Sequence, residues 1–178
     1  MENSIKIKVY DIRTWPTDIK NFFSNQIDYC YNDEFERLIK QYNIVGYHHT
    51  KILNLDDFLG NGLRLLDNNT INIIKNNVSK ITGIDISIIS NKFDRYLEEN
   101  NYDNRYGFLF FGATNKNING GYNYIFNYYG GEITYNSLPD YRKYLFESGI
   151  SCLIEFVFKY DFLLDYKKEY IYEMMFKK

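Results

Sequence analysis

Apolar residues recur with a helical period through the first hundred residues of this chain and with a strand period after that. This change constrains the fold more than any other feature. Behind Pro16-Thr17-Asp18, the residues Ile19, Phe22, Phe23 and Ile27 fall at three-to-four spacing and predict a helix with one apolar face. A second helix is expected from about Asn32, where acidic Asp33 and Glu34 suit the positive amino end and Phe35, Leu38, Ile39 and Tyr42 form the stripe. Two more follow, one with Ile71, Ile74, Val78 and Ile81 behind a Thr70 cap, the next with Ile88, Ile89, Phe93, Tyr96 and Leu97 after Asp85.

Strands are expected over 5–10, with Ile5, Ile7 and Val9 on one side, and over 44–50. In the second half they dominate. The run 106–111 reads as a buried strand, 132–135 as a short one and 169–176 as a last one, with Tyr170, Tyr172 and Met174 on one side. The clearest is the alternation of Cys152, Ile154, Phe156 and Phe158 with Ser151, Leu153, Glu155 and Val157. Residues 115–121 read as loop, and 122–129 fit strand or helix. Ser137, Pro139 and Asp140 open one further helix, closed by Gly149. Helices segregated from strands predict an α+β chain, and no repeat or linker divides residues 1–178 into more than a single domain.

Aromatics make up 19% of the residues, so the core need not rest on aliphatic packing, but each buried Tyr hydroxyl will need a partner. The net charge of −2 with scattered cations argues against tight nonspecific nucleic-acid binding, which needs many phosphates neutralised. Cys30 and Cys152 lack metal-ligand spacing, and no basic-then-apolar leader or membrane-length apolar run is present. A soluble, cytoplasmic protein with no membrane partner is expected.

The chemistry concentrates in Gly46-Tyr47-His48-His49-Thr50, which holds both histidines. Strand alternation puts Val45, Tyr47 and His49 on one face and His48 and Thr50 on the other, so the two imidazoles cannot readily share one metal. No metal is expected. The glycine patterns of dinucleotide-binding and P-loop folds are absent, as is a G-x-S-x-G elbow. After the strand, Asn54 caps a short helix with Leu55, Phe58 and Leu59 expected inward, Gly62 ends it, and Leu63, Leu65 and Leu66 return to the core. Gly130-Gly131 forms a turn into Glu132.

These residue types suit a nucleotide-sugar. His48 and Thr50 can orient ribose hydroxyls, tyrosine faces can stack on a base, and Arg105 can grip a pyrophosphate. The Glu132 carboxylate can stabilise positive charge developing on a ribose carbon.

Tyr47-His48-His49-Thr50 followed by Phe58-Leu59-Gly60-Asn61-Gly62-Leu63 resembles the opening of ADP-ribosyltransferase-fold proteins of the histidine-bearing branch, which includes poly(ADP-ribose) polymerases and RNA 2′-phosphotransferases. There a strand with Tyr-His-x-Thr precedes a short helix and a Gly-Leu turn. The resemblance implies a mostly antiparallel, split sheet over 44–178, with 1–43 supplying an amino-terminal strand and helices. It also implies that His48 and Thr50 contact NAD or an ADP-ribose compound, with Glu132 as catalytic glutamate cleaving the nicotinamide–ribose bond. NAD would be the substrate, and the acceptor could be protein or nucleic acid. The stacking tyrosine stays open among Tyr106, Tyr122, Tyr124 and Tyr129, with Tyr129 beside the Gly-Gly-Glu run. The arginine, Ser-Thr-Ser and Glu-x-Glu arrangement of the cholera-toxin-like branch has no clear counterpart. The alternative is a non-catalytic nucleotide-binding or protein-interaction module on the same fold, of a kind a mobile element could encode.

Overall fold

Asn32 fixes the first clear element boundary of the computed structural model, which describes residues 5–101 and 127–178. Its side chain accepts the Phe35 N–H, satisfying one of the orphan donors that open α2 (Asp33–Ile39). Ahead of it come β1 (Lys6–Ile7) and α1 (Thr17–Ser24), which buries Ile19 and Phe22. The chain then enters β2 (Asn43–Ile52), parallel to β1 with Lys6 opposite Asn43 and Ile7 opposite Ile44. A parallel pair needs a crossover, and α1 and α2 supply it.

Downstream lie α3 (Leu55–Asn61), α4 (Asn68–Thr82), α5 (Ile86–Glu99), α6 (Gly131–Ser137), α7 (Arg142–Glu147), β3 (Ile150–Lys159) and α8 (Asp165–Phe176). The sheet order is β1-β2-β3. The chain is therefore α+β, with a small mixed sheet among the described residues.

Two compact units emerge. Among the described residues, the first takes 5–48 and 155–178, and the second 49–101 and 127–154. In the first, Ile7, Val9, Trp15, Phe22, Phe35, Ile44, Tyr160 and Tyr172 belong to one buried cluster. β1 is short because the chain turns at once: the Trp15 indole and the Asp11 amide both donate to the Lys8 carbonyl. A hydrogen-bonded chain then ties α2 to the residues after β3. Tyr160 donates to Tyr31 at 3.1 Å, Tyr31 donates to Glu36, and the Lys40 ammonium bridges Glu36 and Asp161.

The second unit is built on α4 and α5, whose Ile71, Val78, Ile89 and Phe93 pack with Tyr129, Ile133, Leu138 and Leu145. Its turn into α6 passes through Gly130 at φ 78°, where an added Cβ would meet the Thr134 methyl at 2.3 Å and the Ile74 methyl at 2.9 Å.

Several expectations are corrected. Residues 132–135 lie in helix α6, not a strand: the Thr134 hydroxyl donates back to Tyr129 and Gly131 carbonyls, and Ser137 to that of Ile133. Residues 169–176 are helical too. Ile171, Tyr172, Met174 and Met175 are the buried set, and that spacing is one helix face. Among the described residues, strands thus do not dominate the second half. Asp67, not Thr70, caps α4, its carboxylate accepting the Thr70 N–H at 2.6 Å. Leu55, Leu59 and Ile88 face solvent, at 50%, 71% and 49% exposure, and Leu65 is exposed as well. The strand expected over 106–111 and the 115–121 loop lie outside the described residues.

Two outcomes follow from this architecture. Gly130→Ala should cost at least about 2 kcal/mol, because left-handed backbone strain adds to the overlap with Thr134. Gly83→Ala, at φ 72° but with nothing within 4 Å of the new Cβ, should cost only about 1 kcal/mol. Urea midpoints of the two variants measure the difference, and equal losses would refute the steric account. Burial pushes the Tyr31 phenol up to about 12, and Tyr160 is raised further by burial and by donating to Tyr31. A raised phenol stabilises the fold below its ordinary value near 10, and that stability is lost as pH climbs through the folded value. Urea midpoints should therefore fall between about pH 10 and 12, and less steeply in Tyr160→Phe. An equally steep fall in that variant would exclude Tyr160 as a contributor.

Candidate functional site

Segment 43–63 is the most chemically loaded part of the chain, and its local order is strand, capped helix, turn. β2 is buried on both faces over Ile44, Val45, Gly46 and Tyr47, and becomes half-buried at His48, His49 and Thr50. Alternation sets His48 and Thr50 on one face and Tyr47, His49 and Lys51 on the other. Asn54 then closes the strand's exit by accepting the Asp56 and Asp57 amides at 2.8 and 3.3 Å, which starts α3. Asp57 carries the far end: Asn61 donates to its carbonyl and carboxylate, and Arg64 approaches that carboxylate at 3.5 Å. The Gly62 amide donates to the Phe58 carbonyl at 2.7 Å and its φ is 67°, with ψ at −160°, so the turn departs from the left-handed helical geometry expected there.

Glu132 sits in the first turn of α6, the favourable end of a helix for a carboxylate. Its Oε1 accepts the Tyr96 phenol at 3.2 Å, and the Asn136 amide in turn donates to Tyr96 at 2.9 Å. Tyr129 is 8% exposed. Its amide donates to the Leu145 carbonyl at 3.0 Å, and its hydroxyl accepts from Asn77 at 2.7 Å. Burial pushes its phenol up, while the Asn77 hydrogen bond pulls the other way. The ring is thus core material of the second unit.

Of the residues singled out from sequence, His48 belongs to the first unit, and Thr50, Tyr129 and Glu132 to the second. Tyr129 and Glu132 are brought onto one turn of chain but engage different helices, α4 through Asn77 and α5 through Tyr96. Arg105, Tyr106, Tyr122 and Tyr124 lie outside the described residues. Among the described residues, no group of three or more His, Cys, Asp and Glu side chains is placed to hold a metal ion.

Sequence reasoning missed Asn77, Tyr96 as a polar partner, Asn136 and Lys51. For Asn136 a signal existed, since it follows Glu132 by four residues and so shares its helix face once the segment is read as helix. For Lys51 there was none. A lysine closing a strand looks solvated, yet this one is 8% exposed.

No family model, no curated protein and no solved structure matches this chain.

Proposed function

We propose that this chain is an ADP-ribosyltransferase-like protein that binds NAD or a related ADP-ribose compound, with the ribose against His48 and Thr50 of β2. The observation that carries this reading is the order of local structure over 43–63. A strand bearing Tyr-His-x-Thr, a capped short helix and a Gly-Leu turn follow one another as the resemblance requires. A half-buried imidazole and hydroxyl on one strand face offer donors and acceptors to ribose hydroxyls while the neighbouring apolar residues exclude water. NAD enters as ligand or substrate, and the reading uses no metal. In its cleaving version, the Glu132 carboxylate stabilises positive charge on the ribose carbon as the nicotinamide bond breaks, and a protein or nucleic-acid acceptor takes the ADP-ribose.

A second version binds without cleaving, and one observation favours it. Glu132 opens a helix instead of a strand, and its carboxylate receives the Tyr96 phenol within a network that also holds Asn136. A carboxylate so engaged serves to fasten α6 to α5.

Calorimetry with NAD and ADP-ribose, paired with chromatography of released nicotinamide, separates the versions. Binding of both ligands is expected, weakened roughly fivefold to tenfold by His48→Ala through loss of a hydrogen-bonding group. No nicotinamide release is expected. Release that Glu132→Gln abolishes would establish the cleaving version, and failure of both ligands to bind would end the reading.

A further inference from the structure

Two lysines of the second unit have nearly the same low exposure, 8% each, and opposite surroundings. Lys75 is matched by the Asp94 carboxylate at 2.6 Å. Lys51 has no ion pair or hydrogen bond among the described residues, and what its ammonium faces is the Phe146 ring, 5.0 Å from the centroid. Desolvation, with no offsetting charge, pulls the Lys51 ammonium below its ordinary range. Covering a cation without a counter-charge is unfavourable, and an arriving anion would relieve that cost.

The ammonium is still reachable. Among the described residues no fully buried side-chain nitrogen or oxygen lacks a hydrogen-bond partner, so the Nζ of Lys51, which has none, touches solvent. The residue is covered overall while its ammonium keeps some contact with solvent, as a snorkelling lysine allows.

Beside it runs a row of rings. Phe146 is 52% exposed and lies 5.5 Å from the Tyr128 centroid. Tyr128 lies 4.9 Å from Tyr135, and the Arg142 guanidinium covers Tyr135 at 3.7 Å while donating to its carbonyl. The row therefore begins and ends on a cation, and its exposed ring stands next to the unpaired one. All five residues belong to the second unit.

We propose that Lys51 and Phe146 form a binding site for a phosphate carried on a planar ring system, a nucleoside monophosphate being the simplest such ligand. The phosphate takes the Lys51 ammonium as its counter-charge and the base stacks on the open part of Phe146, an interaction that tolerates any base. A bare anion would leave the ring unused, and a bare nucleoside would leave the cation unpaired. Both groups together define the class. Because Lys51 points to the face of β2 opposite His48 and Thr50, this site is distinct from the ribose contacts proposed above.

The test is calorimetric titration with AMP, adenosine and inorganic phosphate. AMP should bind at least tenfold more tightly than either part. Lys51→Met should weaken AMP at least tenfold, Phe146→Leu at least fivefold, and His48→Ala should leave it unchanged. The site is refuted if AMP does not bind at millimolar concentration or if Lys51→Met binds it as tightly as the unaltered chain. It is equally refuted if His48→Ala loses AMP and Lys51→Met keeps it, which would assign AMP to the ribose-contacting face instead. Should Lys51→Met not fold, amine acetylation of the unaltered chain read by mass spectrometry decides: AMP should protect Lys51 and leave Lys143 reactive, and equal labelling of Lys51 with and without AMP overturns the site. NAD and ADP-ribose carry an adenosine phosphate and would occupy this site as well, so the ribose contacts of the preceding section are read from the effect of His48→Ala on NAD in the Lys51→Met background, which keeps the failure of either proposal distinguishable from that of the other.

Discussion

The first unit depends on one ring. Tyr172, fully buried, meets Phe35 at 4.9 Å and Tyr29 at 5.2 Å edge-on, stacks on Phe176 at 6.1 Å, and also touches Phe22, Phe23 and Tyr31. Those partners come from α1, from the segment leading into α2, from α2 itself and from α8. A contact of this kind adds about 0.5–1.5 kcal/mol beyond area burial, and losing such a ring outright costs about 3–5 kcal/mol. Against a net stability of about 5–15 kcal/mol, one side chain thus decides whether the two ends of the chain stay together. A phenol at that position also needs a partner, and it accepts the Cys30 amide at 3.3 Å. That bond pins the approach to α2 to the last helix.

The high aromatic content therefore has a structural use and a polar consequence. Each phenol carried inward is matched: Tyr42 donates to Asp18, Tyr160 to Tyr31, and Tyr129 accepts from Asn77. The matching partners, Asp18, Tyr31 and Asn77, lie on neighbouring parts of the chain, so they double as positional locks. Tyr160 illustrates why a phenol was retained where phenylalanine would fill the same space. Through Tyr31, Glu36 and Lys40, its hydroxyl connects a buried point of the core to a surface ion pair with Asp161. The chain of bonds orients α2 as packing alone would not.

What was legible in the sequence had unambiguous period or punctuation. Asn32 ahead of two acids and an apolar stripe gave α2, and alternation over 151–158 gave β3, where Cys152, Ile154, Phe156 and Phe158 are half-buried and Ser151, Leu153, Glu155 and Val157 are exposed. The stripe of α4 was equally plain, though its cap was placed three residues late. Segments 132–135 and 169–176 failed for two different reasons. In the first, Ile-Thr-Tyr has strand propensity, and the helix forms because Thr134 and Ser137 turn their hydroxyls onto the preceding turn. In the second, nearly every residue is apolar or aromatic, so two periods fit. The pair spacing of Ile171, Tyr172, Met174 and Met175 distinguishes them only when Tyr170 is allowed to face solvent. Leu55 and Leu59 were misjudged because apolar type was taken for inward direction, and a seven-residue helix capped by the Asn54 side chain at one end and the Gly62 amide at the other can stand with its leucines outside.

The candidate chemistry was legible in position but not in polarity. The sequence placed His48 and Thr50 on one strand face, and alternation on β2 keeps them there. It could not reveal that the next residue on the opposite face would be a covered, unpaired cation. Lysine at a strand end is ordinarily solvated, and the ring that this ammonium faces, Phe146, is nearly a hundred residues away. The contrast with Lys75 argues that the covering is not incidental. Where this unit needs a lysine only for structure, it supplies a carboxylate at 2.6 Å within reach of solvent, a partner that costs little. At Lys51 it supplies a ring face instead, which attracts the ammonium without neutralising it. A ring leaves the charge available to something else, and a carboxylate would not. As proposed, β2 carries two chemistries back to back, hydroxyl-directed on one face and anion-directed on the other. His48 and Thr50 lie where the strand passes from fully buried to half-buried, and Lys51 follows where it becomes covered again.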